Sequence, residues 1–591
     1  MLLGQLTSEI VRPGETLAEA LDREGGPMLV ESRSEVLLPV LHHLLTLDLT
    51  GLPFAQLLVA MVANGDVPKP TETIFGLIQS ATTTLSERRD VDGEALAFWV
   101  RGNALLGIGD LAGAGRAWKR AADLDPTTDL VEDMALANLA YASYGVNGDV
   151  DEALRAAAAA VASARARDHG RGEGLALVYT AYLQMMAGRF AQAEAALAVA
   201  DEAFARASEI DGPPYEWPLV YAGIGALAGL RGLPEEADTE FLRGVLLARN
   251  LENPWYEAIV RTLRADHTMQ FDTRRAHADC RWALHEFEDV ADSWWGTIAV
   301  RVRADAALAA GEVEASRQLA LGALERLENP VERGRCLISL SRALLAGEDP
   351  DGATRRADEA VRSLEPTGAS FLLCEALLLL ADCDPLRAPD AIERARQLST
   401  EDEAYARLWA ARPNLHVQVL GRAMVSVGAV PVRFRTTRSE LLVLMLTVAG
   451  GRGIDASQVA AALWPDGVGP KMASNLSTAT YDARQALASE AWRLHRSGSQ
   501  LWLDLDGAFV DLDDAMARAR AGAVRHQPSD AEAADEDELK VEDNDEVEVN
   551  RRDALQSLRE EILPALAFEP WVAEANRRRV AFLEKLTGAP H

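Results

Sequence analysis

The chain has no run of eighteen or more apolar residues among its 591, which excludes a membrane-spanning helix as its organising feature. It has little sulfur. Cys280, Cys336, Cys374 and Cys383 are its four cysteines, with no CxxC pair among them. Neither a disulfide framework nor a zinc ladder is expected, and the four read as buried thiols in a reducing compartment. Aromatic residues make up only 6% of the chain. Basic residues are outnumbered, 59 against 91 acidic, for a net charge of −32. A chain this acidic cannot coat nucleic acid along its length, so any such contact must be local. The N-terminal stretch MLLGQLTSEIVRPGETLAEALDREGG lacks a basic n-region and a long apolar core. No signal peptide is expected, and the expected location is the cytoplasm.

Signatures of catalysis are also missing. There is no GxxxxGK[ST], no GxSxG and no HExxH. The string GVGPKMAS at 467 to 474 has the wrong glycine–lysine spacing for a phosphate loop. Asp266, His267, His277, Cys280 and His285 fall near one another in sequence, but HEFE at 285 to 288 lacks a second histidine. No metal, no cofactor and no enzymatic activity are expected, and the chain reads as a binder.

What is present is repetition. In ALAFWVRGNALLGIGDLAGAGRAWKRAADLDP, residues 95 to 126, the positions Phe98, Gly102, Leu105, Gly109, Ala114, Trp118, Ala121 and Pro126 keep the spacing of a tetratricopeptide (TPR) unit. Small residues mark where two helices approach, and large ones fill the gap between them. The turn recurs at Gly148-Asp149, Gly188-Arg189, Gly232-Leu233, Gly311-Glu312 and Gly347-Glu348, and without its glycine at Phe271-Asp272. Residues 91 to 410 are therefore expected to form a TPR-like α-solenoid of antiparallel helix pairs without strands, similar to the longer repeats of bacterial signalling regulators. Residues 1 to 90, with TLAEALDRE and EVLLPVLHHLLTLDL, read as a helical cap.

The texture changes at Pro413. Alternating, valine-rich segments predict strands at Leu415–Leu420, Met424–Val427 and Val430–Phe434. Helices are expected at about Arg438–Ala449, from an Asp455 or Ser457 cap to Leu463, and at about Met472–Ala488. Strand-like pieces, Trp492–His495 and Gln500–Leu505, flank Ser497-Gly498-Ser499. Sheet, three helices and hairpin in that order predict an α+β winged helix over residues 411 to 522. Trp464, before Pro465, reads as a core plug. Around 527 to 548 the stretch SDAEAADEDELKVEDNDEVEV has eleven acidic residues and one lysine. Residues 523 to 550 are expected to be a disordered linker, and 551 to 591 a helical segment.

The motifs LGRAMVSVGAVPVRF, LLVLMLTVAGGRGIDASQVAAALWPD, NLSTATYDARQAL and GSQLWLDLDGAFVDL resemble, in this order, the OmpR-type winged helix of SARP-type bacterial transcriptional activators. ALWPD at Ala462–Asp466 is the most specific piece. The tail LREEILPALAFEPWVAEANRRRVAFLEKL resembles the start of the helical activation domain of that family. In this chain the array precedes the winged helix instead of following it. No NTPase module lies between them.

The resemblance implies a transcription regulator whose third helix enters the major groove of double-stranded DNA. Carried over by position, Asn475, Ser477, Thr478, Tyr481 and Arg484 are candidate groove residues. Lys471 lies before the helix near a phosphate, and Arg493 and Arg496 lie on the wing. Ser477 and Asp482 stand where the family often has arginine, and Asp482 is expected to repel phosphate. Residues 415 to 507 hold nine basic and seven acidic residues, a balance of +2 that leaves −34 for the rest. A protein or peptide is the expected partner of the array. RNA polymerase and a second copy of the chain are further candidate partners, and no membrane is expected. The alternative is a TPR scaffold whose winged helix contacts protein rather than DNA.

Overall fold

The computed structural model describes residues 10 to 587, apart from 31–36, 38–39, 67–71, 125–128, 290–292, 385–386, 413–414, 428–429, 466–469, 525–551 and 568. The acidic stretch at 527 to 548 thus lies outside the described residues. The chain divides into two units. One comprises residues up to Leu379 with Arg394–Arg407, the other Leu380–Glu393 with Leu408 onward.

The first unit is built of helix pairs, and among its described residues there is no strand. The pairs include Val91–Gly107 with Leu111–Asp123, Gly170–Met186 with Phe190–Asp211, and Pro330–Ala346 with Pro350–Leu364. The mainly α, TPR-like solenoid predicted from the repeats is what forms. Gly102 has no Cβ because Trp118 occupies its place: a Cβ there would lie 2.3 Å from the indole nitrogen. Trp118 is fully buried and donates its N–H to the Asn103 Oδ1.

The recurring Gly-Asp pair has a backbone cause. Gly109 and Gly148 take φ of +79° and +65°, a region closed to most side chains. The aspartate that follows caps the next helix, Asp110 accepting from the Gly113 N–H and Asp149 from the Glu152 N–H. At residues 347 to 349 the device is displaced by one residue from the expected Gly347-Glu348 turn. Glu348 holds the positive φ, and Asp349 caps the helix through the Gly352 N–H.

Before the array, helices run over Leu17–Val30, Leu41–Leu44, Pro53–Asp66 and Glu72–Arg88. Among its described residues, the apolar stretch at 35 to 49 contributes the four-residue helix.

Successive pairs are joined by charge. Arg165, in the last turn of Val150–Ala166, donates to Glu173, in the first turn of Gly170–Met186, at 2.5 Å. Arg249 and Glu257 repeat the arrangement at 2.9 Å. Each side chain sits at the helix end whose dipole suits its sign. The array also touches itself over long separations. Asn329 donates to the carbonyls of Tyr144 (2.6 Å) and Gly145 (3.1 Å), and the Tyr144 hydroxyl donates to Glu332 at 2.8 Å. The Val150 N–H donates to the Thr367 carbonyl. Tyr405 packs edge-on against Phe190 and Phe371.

The second unit carries the strands. β1 (Leu415–Gln418), β2 (Met424–Val427), β3 (Val430–Pro431) and β7 (Phe509–Val510) form a sheet of order β3-β2-β1-β7, with β1 and β7 parallel. β4 (Ile454–Asp455), β5 (Leu494–Ser497) and β6 (Gln500–Leu503) form a second sheet of order β4-β6-β5. Between them lie α1 (Thr437–Val448), α2 (Ala456–Leu463) and α3 (Pro470–Leu487). This is the element order read from the sequence, with β1, β3 and β6 shorter than expected, β5 shifted by two residues and two two-residue strands, β4 and β7, added.

Leu442, Leu446, Val459, Leu463, Leu476, Leu487, Leu501 and Leu503 share one core, and Trp464 packs against it. After β7 come α4 (Asp511–Val524) and, near the C-terminus, α5 (Pro570–Thr587). Leu558, Ile562, Val572 and Leu583 enter the same core. The Leu563 N–H donates to the Val419 carbonyl, and the Gly421 N–H to the Glu561 carbonyl. The Asn576 carboxamide bonds both backbone groups of Ile562. The C-terminal segment is thus built into this unit.

Candidate nucleic-acid interface

α3 is amphipathic by its spacing. Leu476, Ala479, Ala483 and Leu487 point into the core. Ser474, Thr478, Tyr481 and Gln485, at i, i+4, i+7 and i+11, form the middle of an exposed stripe. Tyr481 is 62% exposed. Lys471, Asn475, Ser477 and Arg484 are exposed around the stripe. The hydroxyls of Ser477 and Thr478 donate to the carbonyls of Ala473 and Ser474, one turn back.

The wing is the β5–β6 hairpin. Its tip, Ser497 to Gln500, is exposed, and Gly498 turns it with φ of +57°. His495 and Trp502 stack across the strands with ring centroids 5.0 Å apart. Arg496 is exposed, with its guanidinium 3.4 Å from the Ser477 hydroxyl, so wing and helix meet there. Among the exposed cations, Lys471, Arg496 and Arg435 belong to α3, the wing and the segment before α1. α2 begins with Asp455, whose carboxylate accepts from the Ser457 hydroxyl and N–H. Those bonds hold its pKa below the usual aspartate value.

Three expectations change. Arg493 is not on the wing surface. It closes the 3-10 turn Ala488–Arg493, is 3% exposed, pairs with Glu490 and donates to the carbonyls of Asp504 and Asp506. Backbone carbonyls and a buried carboxylate converge on it, so it holds the hairpin and cannot reach a phosphate. Asp482 does not share the exposed face. It is 6% exposed, with Arg435 4.0 Å away, so the repulsion expected of it is removed from the surface. Arg484 is exposed, but its guanidinium donates from Nε (3.1 Å) and Nη2 (2.6 Å) to the Leu494 carbonyl. It ties the end of α3 to the start of β5.

Two groups were missed. Gln485 lies on the stripe with Thr478 and Tyr481, and helix periodicity alone would have placed it there. Arg435, with an 83% exposed side chain, stands beside α3 through Asp482. It is far from the helix in sequence, and no spacing signals it.

In the other unit Asp266, of the titratable cluster, is committed to two arginines. Asp266 accepts from Arg301 at 2.7 Å and from Arg335 at 2.5 Å. Burial raises the Cys280 thiol to about 12. Burial lowers His267 to about 4, so it is neutral at pH 7. Cys280, Cys336 and Cys374 are buried, and Cys383 is partly exposed.

No family model matches the chain, and no curated protein matches it. Solved structures of similar course include a Rap protein complexed with competence and sporulation factor, at 12% identity and a TM-score of 0.45, covering 59% of this chain and 97% of that one. Yeast Tom70 is similar at 16% identity and a TM-score of 0.33, covering 66% of this chain and 80% of its own. A signal transduction ATPase with numerous domains and a tetratricopeptide repeat sensor, from Pyrococcus horikoshii, has 13% identity and a TM-score of 0.34, with 69% of each chain covered. Among the described residues no helix is long and apolar enough to cross a membrane.

Proposed function

We propose that the chain is a DNA-binding transcription regulator of the cytoplasm, a binder and not an enzyme. Residues 411 to 522 act as a winged helix, with α3 in the major groove and the β5–β6 hairpin against the backbone. The TPR-like array is its docking or sensing arm for a protein or peptide. The C-terminal segment is the activation-like part, with RNA polymerase as its candidate partner. One observation carries this reading. The exposed face of α3 has no acidic residue, because Asp482 is turned inward, in a chain whose net charge is −32. Lys471, Arg435 and Arg496 border that face as phosphate partners. An α-helix with a polar exposed face is the element whose width fits the groove.

The test is a titration of the full chain against duplexes of random sequence at two salt concentrations, followed by selection of the tightest binders. Binding that weakens with salt and enriches one sequence supports the regulator. Absence of binding at low salt returns the module to the scaffold reading. That second reading has one observation in its favour. A continuous positive face from Lys471 through Arg484 and Arg493 to Arg496 would favour DNA, and Arg493 is internal.

A further inference from the structure

We infer that the α3 face reads A·T base pairs and that Gln485 is its principal specificity-determining residue. The inference rests on the winged-helix reading and goes beyond it by naming the base class. Guanine is read in the major groove by arginine or lysine reaching O6 and N7. Adenine is read by asparagine or glutamine at N6 and N7, and the thymine methyl by apolar contact.

The only arginine of α3 is Arg484, and its guanidinium is directed at the Leu494 carbonyl. Arg496 is held near the Ser477 hydroxyl at the wing. Lys471, in the first turn, lies at the opposite end of the helix from Gln485, which is in the last turn, and is assigned to a phosphate. From Ser474 to Gln485 the exposed stripe offers no cation to guanine. It offers the Gln485 carboxamide, the Thr478 side chain and the Tyr481 ring, one after another along one line of the helix. A carboxamide bidentate to adenine, with a methyl and a ring for the thymine methyl, is the readout this set performs. Asn475 lies at the edge of the exposed arc, beside the inward-facing Ala479, and is placed for the sugar-phosphate margin.

The experiment compares the full chain on two short duplexes that differ only in a central A·T or G·C block, at two salt concentrations. Three variants accompany it: Gln485→Ala, Gln485→Arg and Lys471→Gln. The A·T block is expected to bind about tenfold more tightly, the discrimination one bidentate pair supplies. Gln485→Ala should abolish that ratio while leaving G·C affinity within about twofold. Gln485→Arg should invert it. Lys471→Gln should weaken both duplexes alike, as loss of a phosphate contact does. A wild-type chain that binds but prefers G·C, or discriminates unchanged after Gln485→Ala, overturns the inference and leaves the DNA-binding function standing. A chain that binds neither duplex at low salt overturns both.

Discussion

The Arg484 guanidinium donates from two of its nitrogens to one acceptor, the carbonyl of Leu494, the first residue of the first wing strand. A charged donor bound to a main-chain carbonyl sets the angle between helix and wing and contributes more to stability than a neutral bond. Arg484→Ala is therefore expected to lower stability by about 1–2 kcal/mol. It should weaken preferred and scrambled duplexes by the same factor. Thermal melts and paired titrations check this, and loss confined to the preferred duplex would restore Arg484 as a base contact.

Asp482→Arg is expected to damage the fold, although it removes a charge expected to repel phosphate. The position is 6% exposed with Arg435 4.0 Å away, so a cation there would be buried beside another cation. The cost is about 3 kcal/mol or more. Asp482→Asn should cost about 1 kcal/mol or less. Denaturant midpoints of the two variants separate burial from charge.

The salt dependence of DNA binding follows from the exposed cations. Lys471, Arg435 and Arg496 give a slope of log affinity against log salt of about −3, and replacing any one by glutamine should reduce it by about 1. Arg493→Gln should leave the slope unchanged while lowering the melting temperature, because that guanidinium is internal.

Asn329 is 2% exposed and serves two ends at once. Its oxygen caps the Val331 and Glu332 N–H groups, and its nitrogen bonds the carbonyls of Tyr144 and Gly145. Asn329→Ala should cost about 3 kcal/mol, from a lost cap and two orphaned acceptors. Hydrogen exchange should quicken around both 144–150 and 330–332. Exchange that quickens at only one of them would show that the two are not coupled.

His267 supplies a pH dependence. Burial lowers its folded pKa to about 4, below the ordinary histidine value of about 6.5. As pH falls through that window the unfolded chain takes up a proton that the folded chain refuses. Stability is full above pH about 6.5 and is lost progressively down to about 4, by roughly 3 kcal/mol. His267→Gln should flatten this part of the stability curve. A slope unchanged in the variant would assign the dependence to other groups.

The helix pairs were legible because close approach demands small residues, and Gly102 against Trp118 shows that demand directly. The Gly-Asp turn was legible for the same kind of reason, a positive φ followed by a cap. The module's order was legible from alternation, but β4 and β7, of two residues each, are too short to alternate. Arg493 could not be placed from sequence, since the carbonyls of Asp504 and Asp506 reach it only once the hairpin has formed. Asp482 was not placeable either: it stands four residues after exposed Thr478 and seven after exposed Asn475, and its burial beside Arg435 comes from the tertiary fold.

The contacts of Tyr144 and Asn329 change what kind of mechanical object the array is. A solenoid whose repeats touch only their neighbours is a spring, and it yields to tension a little at every joint. Here a hydrogen-bonded stitch joins turns whose residues are 185 apart in the chain. Pulled from its ends, the stitched stretch should resist as one stiff block and then give way in a single step. A partner that gripped both ends would therefore meet a threshold, where an open coil would offer graded compliance.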